Sequence, residues 1–183
     1  MIRPDAIALG AAPPDDINVI VTVPAGSEPF EVRLDDVSGA LVVSQLFHTA
    51  MRTPGALGVV PHTRSEDADL LQAVIVGTHP LASGMVIAAR PVGVLYVAGE
   101  GGETVTVLAV PASRLGSRYD DIEDYKDFGA GMLRQFAHFF THFRDVDGRR
   151  VSRTAGWGDV DEARRVIIEA AERARQPMGF ADR

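Results

Sequence analysis

The run Ile17-Asn18-Val19-Ile20-Val21-Thr22-Val23, closed by Pro24, is the apolar stretch from which the fold can be worked outward. Its β-branched residues are typical of a buried strand, and the proline ends the strand because it has no backbone N–H to donate. Two further short strands are predicted at Phe30–Leu34 and Ala40–Val43, joined by the turn that contains Gly39. The chain therefore begins as an all-β fold.

More strands are predicted up to residue 110. They lie at Ala73–Val76, Met85–Ala89, Val92–Val97 and Val105–Val110. The segment Gly99–Glu103 is predicted to be a flexible hairpin connection, since glycine accepts the backbone angles of tight turns.

The last third of the chain changes to a helical period. An aromatic stripe at spacings of three and four predicts one helix whose apolar face packs on the sheet: Met132, Phe136, Phe139, Phe140 and Phe143. A second helix is predicted to begin after Asp159, with Glu162 completing a capping box, and to end before Pro177. Many strands followed by two helices indicate an α+β fold with a barrel or a strongly coiled sheet.

Length and composition narrow the class of protein. At 183 residues the chain is predicted to form one domain over residues 17–176, with an extended arm at 1–16 and a tail at 177–183. A net charge of -7 argues against nucleic-acid binding, and the absence of cysteine excludes disulfides and thiolate metal sites. Because no long apolar run or basic leader is present, we expect a cytoplasmic protein that does not contact membranes.

The acidic segment Ser65–Gln72 precedes the predicted strand Ala73–Val76. Carboxylates two residues apart point to the same side of an extended segment, so Asp67 and Asp69 could share a hard cation. Gln72 supplies a neutral amide where a third anion would strengthen binding. The alternative interpretation is a solvated turn at the start of a strand.

Two histidines four residues apart also have ligand spacing. His138 and His142 lie on the aromatic helix in the arrangement of a zinc pair, but no third ligand is placed by a motif.

The order of segments along the chain resembles that of the soluble, single-domain, magnesium-dependent inorganic pyrophosphatases. The matched segments include Ser38-Gly39-Ala40-Leu41, His62-Thr63, Asp67-Ala68-Asp69, Arg90-Pro91-Val92-Gly93-Val94-Leu95, Ala137-His138-Phe139-Phe140 and Gly156-Trp157. The resemblance implies a five-stranded barrel related to the OB-fold, with helices packed outside. It also implies a homo-hexamer whose interface includes His138 and His142, which favours an interface role for them over zinc binding.

The chain departs from the family's acidic motif, Asp-Gly-Asp-Pro-x-Asp. Asp67 matches the first Asp and Asp69 the second, whereas Gln72 replaces the third, which bridges metal ions in the family. The negative charge of the bridging position is therefore missing.

The phosphate-binding positions differ as well. Glu31 and Arg33 reverse both charges of the family's Lys-x-Glu, and Gln45 replaces an arginine. Arg144 stands where the family has a lysine, and Glu100 matches an acid. Since uncompensated charge is costly to bury, these changes predict that the diphosphate site is lost.

From these departures we expect a repurposed, metal-independent enzyme with acid–base chemistry of the isomerase, cyclase or lyase type on a small organic substrate. We place this enzyme in specialised metabolism, to which duplicated genes are often redirected. The expected catalytic residues are Asp67, Asp69, Glu31 and Arg33, and the expected substrate-binding residues are Gln72, Glu100, Arg144 and Gln45. No cofactor is expected beyond weak magnesium binding at Asp67 and Asp69. Two alternatives remain open at this point: an inorganic diphosphatase that releases two phosphates, and a non-catalytic binding or assembly protein.

Overall fold

The computed structural model describes residues 4–35, 38–77, 79–99, 102–145 and 153–176. Its eight strands are β1 (Ile17–Val23), β2 (Phe30–Leu34), β3 (Leu41–Leu46), β4 (Ala56–Val59), β5 (Gln72–Ile75), β6 (Val86–Gly99), β7 (Gly102–Pro111) and β8 (Arg153–Gly158). Its two α-helices are α1 (Ala130–His142) and α2 (Val160–Arg175). Short 3-10 turns occur at Pro4–Ala6, Ser113–Leu115, Ser117–Tyr119 and Tyr125–Asp127.

Five strands close into a barrel. They pair in the order β1-β4-β5-β7-β6, and β6 returns to pair with β1. Every contact is antiparallel except that of β5 with β7, which is parallel. The closed sheet confirms the predicted α+β, OB-like barrel with two packed helices.

The remaining strands lie outside this ring. β8 extends the sheet from β6, and β2 and β3 form a separate antiparallel hairpin. In that hairpin Glu31 lies opposite Gln45, with a register irregularity between Glu31 and Val32.

Side chains on the two faces of the barrel sheet belong to two separate hydrophobic clusters. Two neighbouring residues of β7 show this division. Val107 packs in one cluster with Ile167 of α2, and Leu108 packs in the other cluster with Phe136 of α1. All four side chains are at most 1% exposed. The helices therefore pack on the barrel because alternate strand residues present apolar surface on both sides.

The predicted element bounds need correction in several places. The two strands predicted between Met85 and Val97 are one strand, β6, whose register shifts between Pro91 and Gly93. Strands β4 and β8 were not predicted. On α1, Met132 is 41% exposed and so does not belong to the buried stripe.

The N-terminal arm is not extended throughout, because Pro4–Ala6 forms a 3-10 turn. It is also tied to the domain, since Arg114 and Arg164 pair with Asp16 and Asp15. The division into arm, domain and tail stays a prediction, and the tail at 177–183 lies outside the described residues.

Neither α-helix of the described ranges combines the length and the apolar character needed to cross a bilayer.

Candidate functional site

The acidic segment forms a tight turn between β4 and β5, not the extended segment that its spacing predicted. The Ser65 backbone N–H donates to the Asp69 carbonyl oxygen at 2.8 Å, and Ala68 has a left-handed φ of 67°. The Ser65 hydroxyl lies 2.7 Å from the same carbonyl oxygen and hydrogen-bonds to the Asp67 carboxylate. Hydrogen bonds within this turn, Ser65–Asp69, therefore hold the Asp67 carboxylate and the backbone of Asp69, and both aspartates are exposed.

Gln72 is the first residue of β5, three positions beyond Asp69. Its Cα is in register with Val59 of β4 and with Thr106 of β7, so it sits where three barrel strands meet. Its side chain is exposed. An amide here can donate or accept hydrogen bonds but adds no charge to the Ser65–Asp69 turn.

A second group of predicted residues meets on the β2–β3 hairpin. The Glu31 carboxylate lies 3.3 Å from Nη2 of Arg144 and 3.9 Å from Nε of Arg33. It also accepts a hydrogen bond from the Ser44 hydroxyl at 3.1 Å, and Gln45 lies opposite it on β3. We call Glu31, Arg33, Ser44, Gln45 and Arg144 the Glu31 cluster.

The Arg144 guanidinium is positioned by two aromatic rings. Its central carbon lies 5.0 Å from the centroid of Phe143 and 5.7 Å from that of Phe47. The two rings meet edge to face at 5.2 Å. Cation–π contact and the pairing with Glu31 fix a planar group that can bind two oxygens of one anion.

The other predicted residues are more dispersed. Glu100 lies outside the described residues. His138 and His142 are exposed on α1 with ring centroids 4.7 Å apart, and Nδ1 of His142 lies 2.6 Å from an Asp145 carboxylate oxygen. His142 is therefore paired with Asp145, a contact that the spacing of the two histidines did not predict.

Magnesium is the ion that the family resemblance implies for these residues. Within the described ranges, no group of three or more His, Asp or Glu side chains is arranged to hold a metal ion. Asp67 is engaged by Ser65, and Glu31 is engaged by Arg144. Since magnesium prefers several oxygen ligands in octahedral geometry, the described residues do not fit a multi-ion site as they stand.

A cavity of about 310 Å³ that the sequence did not predict lies on another part of the molecule. Its lining residues are Tyr96, Tyr125, Lys126, Trp157, Gly158, Asp159 and Glu162. The tryptophan is the only one in the chain, and it stands two residues before Asp159, the N-cap of α2. A single tryptophan close to a polar helix cap is the sequence feature that could have indicated this cavity, because a half-buried tryptophan beside polar residues often marks a binding surface.

Glu162 is bound from two sides in this cavity. Asp159 caps α2 by accepting from the Glu162 backbone N–H at 3.1 Å, but the Glu162 carboxylate does not complete the predicted capping box. It instead accepts hydrogen bonds from Arg165 and from the Tyr96 hydroxyl. These bonds, with Arg165 the larger cause, lower the pKa of Glu162 to about 2. Burial, followed by the bond to Glu162, raises the pKa of Tyr96 to about 12.

The lowered pKa of Glu162 predicts a pH-dependent contribution to stability. The stabilisation is complete above the ordinary carboxyl pKa of about 4.3 and is lost as pH falls from there toward 2. After allowance for solvent screening we expect about 1 kcal/mol. Thermal unfolding should show Glu162→Gln below the unmodified protein by roughly 2 to 4 °C at pH 7 and by less at pH 3.

Glu172→Gln is the control, because Glu172 is exposed on the same helix. A difference between Glu162→Gln and the unmodified protein that stays constant from pH 7 to pH 3 would contradict this assignment.

Comparison with known proteins places the chain in a family. The profile of the inorganic pyrophosphatase family matches residues 19–175. The inorganic pyrophosphatase of Agrobacterium fabrum is 45% identical over 172 residues, which cover 94% of this chain and 97% of that protein. The Brucella melitensis protein of the same name is 43% identical over 93% of this chain and 97% of its own length.

Solved structures agree with the fold. The structure of an inorganic phosphatase from Anaplasma phagocytophilum superposes with a TM-score of 0.88 at 32% identity, covering 93% of this chain and 99% of that one. The inorganic pyrophosphatase of Thermus thermophilus superposes with a TM-score of 0.86 at 27% identity, over 93% and 97% of the two chains.

These findings correct two expectations from the sequence. The prediction of a repurposed enzyme is wrong, because relatives that align with almost the whole chain are named inorganic pyrophosphatase. The same relatives argue against the non-catalytic alternative and against a role in specialised metabolism. The expectation of no cofactor is also wrong, because the family identified by the resemblance is magnesium-dependent. The chain belongs to the inorganic pyrophosphatase family, a family of enzymes.

Proposed function

We propose that the protein hydrolyses inorganic diphosphate to two phosphates. The observation that carries the proposal is the 45% identity, over 94% of the chain, to a protein named inorganic pyrophosphatase. Hydrolysis is the alternative that agrees with both the family profile and the fold.

The Glu31 cluster supplies the cations for this reaction. Arg33 and Arg144 would donate hydrogen bonds to phosphate oxygens, and the flat guanidinium of Arg144 suits a bidentate contact. Glu31 now occupies Arg144 at 3.3 Å, so an incoming phosphate group must displace this carboxylate from the guanidinium. Gln45 and Gln72 would contribute neutral hydrogen bonds, with Glu100 as a further acid.

The Ser65–Asp69 turn supplies exposed carboxylates. Asp67 and Asp69 are the residual candidates for magnesium, which in this family supplies charge neutralisation and an activated water. The described residues do not form a complete multi-ion site. We therefore propose a turnover slower than that of family members in which an aspartate occupies the position of Gln72.

Arg144→Gln tests the role of the cluster. Loss of a charge-assisted contact of about 1.5 to 3 kcal/mol should lower kcat/KM for diphosphate by roughly 10- to 100-fold. Arg114→Gln is the matched control, because Arg114 pairs with Asp16 of the N-terminal arm. Circular dichroism checks that both variants are folded. Equal kcat/KM values for the two folded variants would show that Arg144 does not act in the site.

Assembly and location are also proposals. The sequence resemblance supports a homo-hexamer, and the exposed imidazoles of His138 and His142 leave the end of α1 accessible to another subunit. A cytoplasmic protein that acts on a small molecule, without nucleic-acid or membrane partners, agrees with the net charge of -7.

A further inference from the structure

The cavity beside α2 has an aromatic wall. Tyr125 and Trp157 stack with ring centroids 5.5 Å apart and an interplanar angle of 9°, and Tyr96 also lines the cavity. The backbone at Gly93 and Gly158 packs closely against the side chains that line this wall. A Cβ on Gly93 would lie 2.9 Å from Cβ of Tyr125, and one on Gly158 would lie 2.5 Å from Cγ of Glu162.

The charges around this wall are mostly paired. Lys126 pairs with Asp124 at 3.6 Å, and Arg165 binds Glu162 at 2.6 Å. Asp159 accepts the capping bond through one oxygen, and among the described residues it forms no salt bridge. The surroundings therefore carry an excess of negative charge, with one exposed carboxylate at the mouth of the cavity.

An ammonium group of the protein already lies against this wall. Nζ of Lys126 is 5.3 Å from the centroid of the Tyr125 ring. The faces of tyrosine and tryptophan attract cations through their quadrupoles, and recognition of ammonium ligands by aromatic side chains with nearby acids is a known use of this attraction. The remaining aromatic surface of Trp157 and Tyr96 offers the same attraction to an external cation.

We propose that this cavity binds a small organic ammonium cation, with Trp157 and Tyr96 contacting the cationic group and Asp159 balancing its charge. The volume of about 310 Å³ is at the lower end for ligand pockets, which suits a cation with few carbon atoms. The proposal is independent of diphosphate hydrolysis.

Nucleotides are the competing occupants, because a base could stack on Trp157 and Lys126 could meet a phosphate. The charge distribution opposes them. Asp124 engages the ammonium of Lys126, and the phosphates would approach Asp159. Repulsion between Asp159 and the phosphates therefore weakens the binding of a nucleotide relative to that of a cation.

The experiment uses choline as the probe and the fluorescence of Trp157, the single tryptophan, as the local reporter. We expect a saturable change with a Kd in roughly the millimolar range. The neutral isostere 3,3-dimethyl-1-butanol has the same shape without the charge, and it should bind at least about fivefold more weakly. Calorimetry supplies a second readout that does not depend on fluorescence.

Asp159→Asn removes the charge but keeps a good helix cap, so the variant should fold and bind choline about fivefold more weakly. Asp161→Asn is the matched control on the same helical turn, outside the cavity lining, and should bind as the unmodified protein does. The proposal is overturned if choline and its isostere bind equally well, or if choline binding does not saturate up to about 100 mM. It is also overturned if Asp159→Asn and Asp161→Asn change choline affinity equally, or if adenosine monophosphate binds more tightly than choline.

Discussion

Replacement of Gln72 by aspartate is expected to tighten magnesium binding about tenfold, which corresponds to about 1.4 kcal/mol. Gln72 begins β5 just after the turn that carries Asp67 and Asp69. A third carboxylate would restore the family's acidic motif and attract a divalent cation more strongly, although exposure to water limits the gain. Calorimetric titration with magnesium measures this effect directly.

Gln72→Asn is the matched control, because asparagine has the shape of aspartate without its charge. We expect Gln72→Asp, but not Gln72→Asn, also to release phosphate from diphosphate faster. Equal magnesium affinities for the two variants would show that the charge at this position does not limit metal binding.

Replacement of Phe136 by alanine should cost about 3 to 5 kcal/mol of the free energy of unfolding. The Phe136 side chain is 1% exposed and belongs to the core cluster that contains Leu95 and Leu108. Because α1 covers the outer face of the barrel with this ring, its removal leaves a cavity that rigid strands cannot fill. Urea unfolding of the two proteins measures the loss.

Met132→Ala on the same helix is the control, since Met132 is 41% exposed. It should change stability by less than about 1 kcal/mol. Similar losses for both variants would mean that α1 is not anchored through Phe136.

The barrel could be predicted from strands whose apolar residues dominate, such as β1 and β7, and α2 could be predicted from its cap at Asp159. The strands β4 and β8 were missed because glycine weakens the strand signal in both. In β4 the glycine is required by long-range packing. A Cβ on Gly58 would lie 2.5 Å from the carbonyl oxygen of Ile20, a contact that sequence reasoning does not reveal.

The site shows the same division between local and distant contacts. Asp67 and Asp69 lie on one turn because they are close in sequence, but this turn replaces the extended segment from which a shared site was predicted. The pairing of Glu31 with Arg144 joins residues 113 positions apart. Family resemblance suggested both positions, but residue spacing could not predict their ion pair.

The aromatic cavity was missed for a similar reason. Tyr96 and Glu162 come from β6 and α2, and their hydrogen bond spans 66 positions. Neither residue has a local motif that indicates a binding surface.

Phosphate release from diphosphate by the purified, unmodified protein tests the central claim most directly. The assay compares magnesium with EDTA, and the double variant Asp67→Asn with Asp69→Asn, purified in parallel, controls for a contaminating host enzyme. We expect two phosphates per diphosphate, with magnesium-dependent turnover that exceeds that of the double variant at least about tenfold. Phosphate release equal to that of the double variant, with or without magnesium, would contradict diphosphate hydrolysis by this protein.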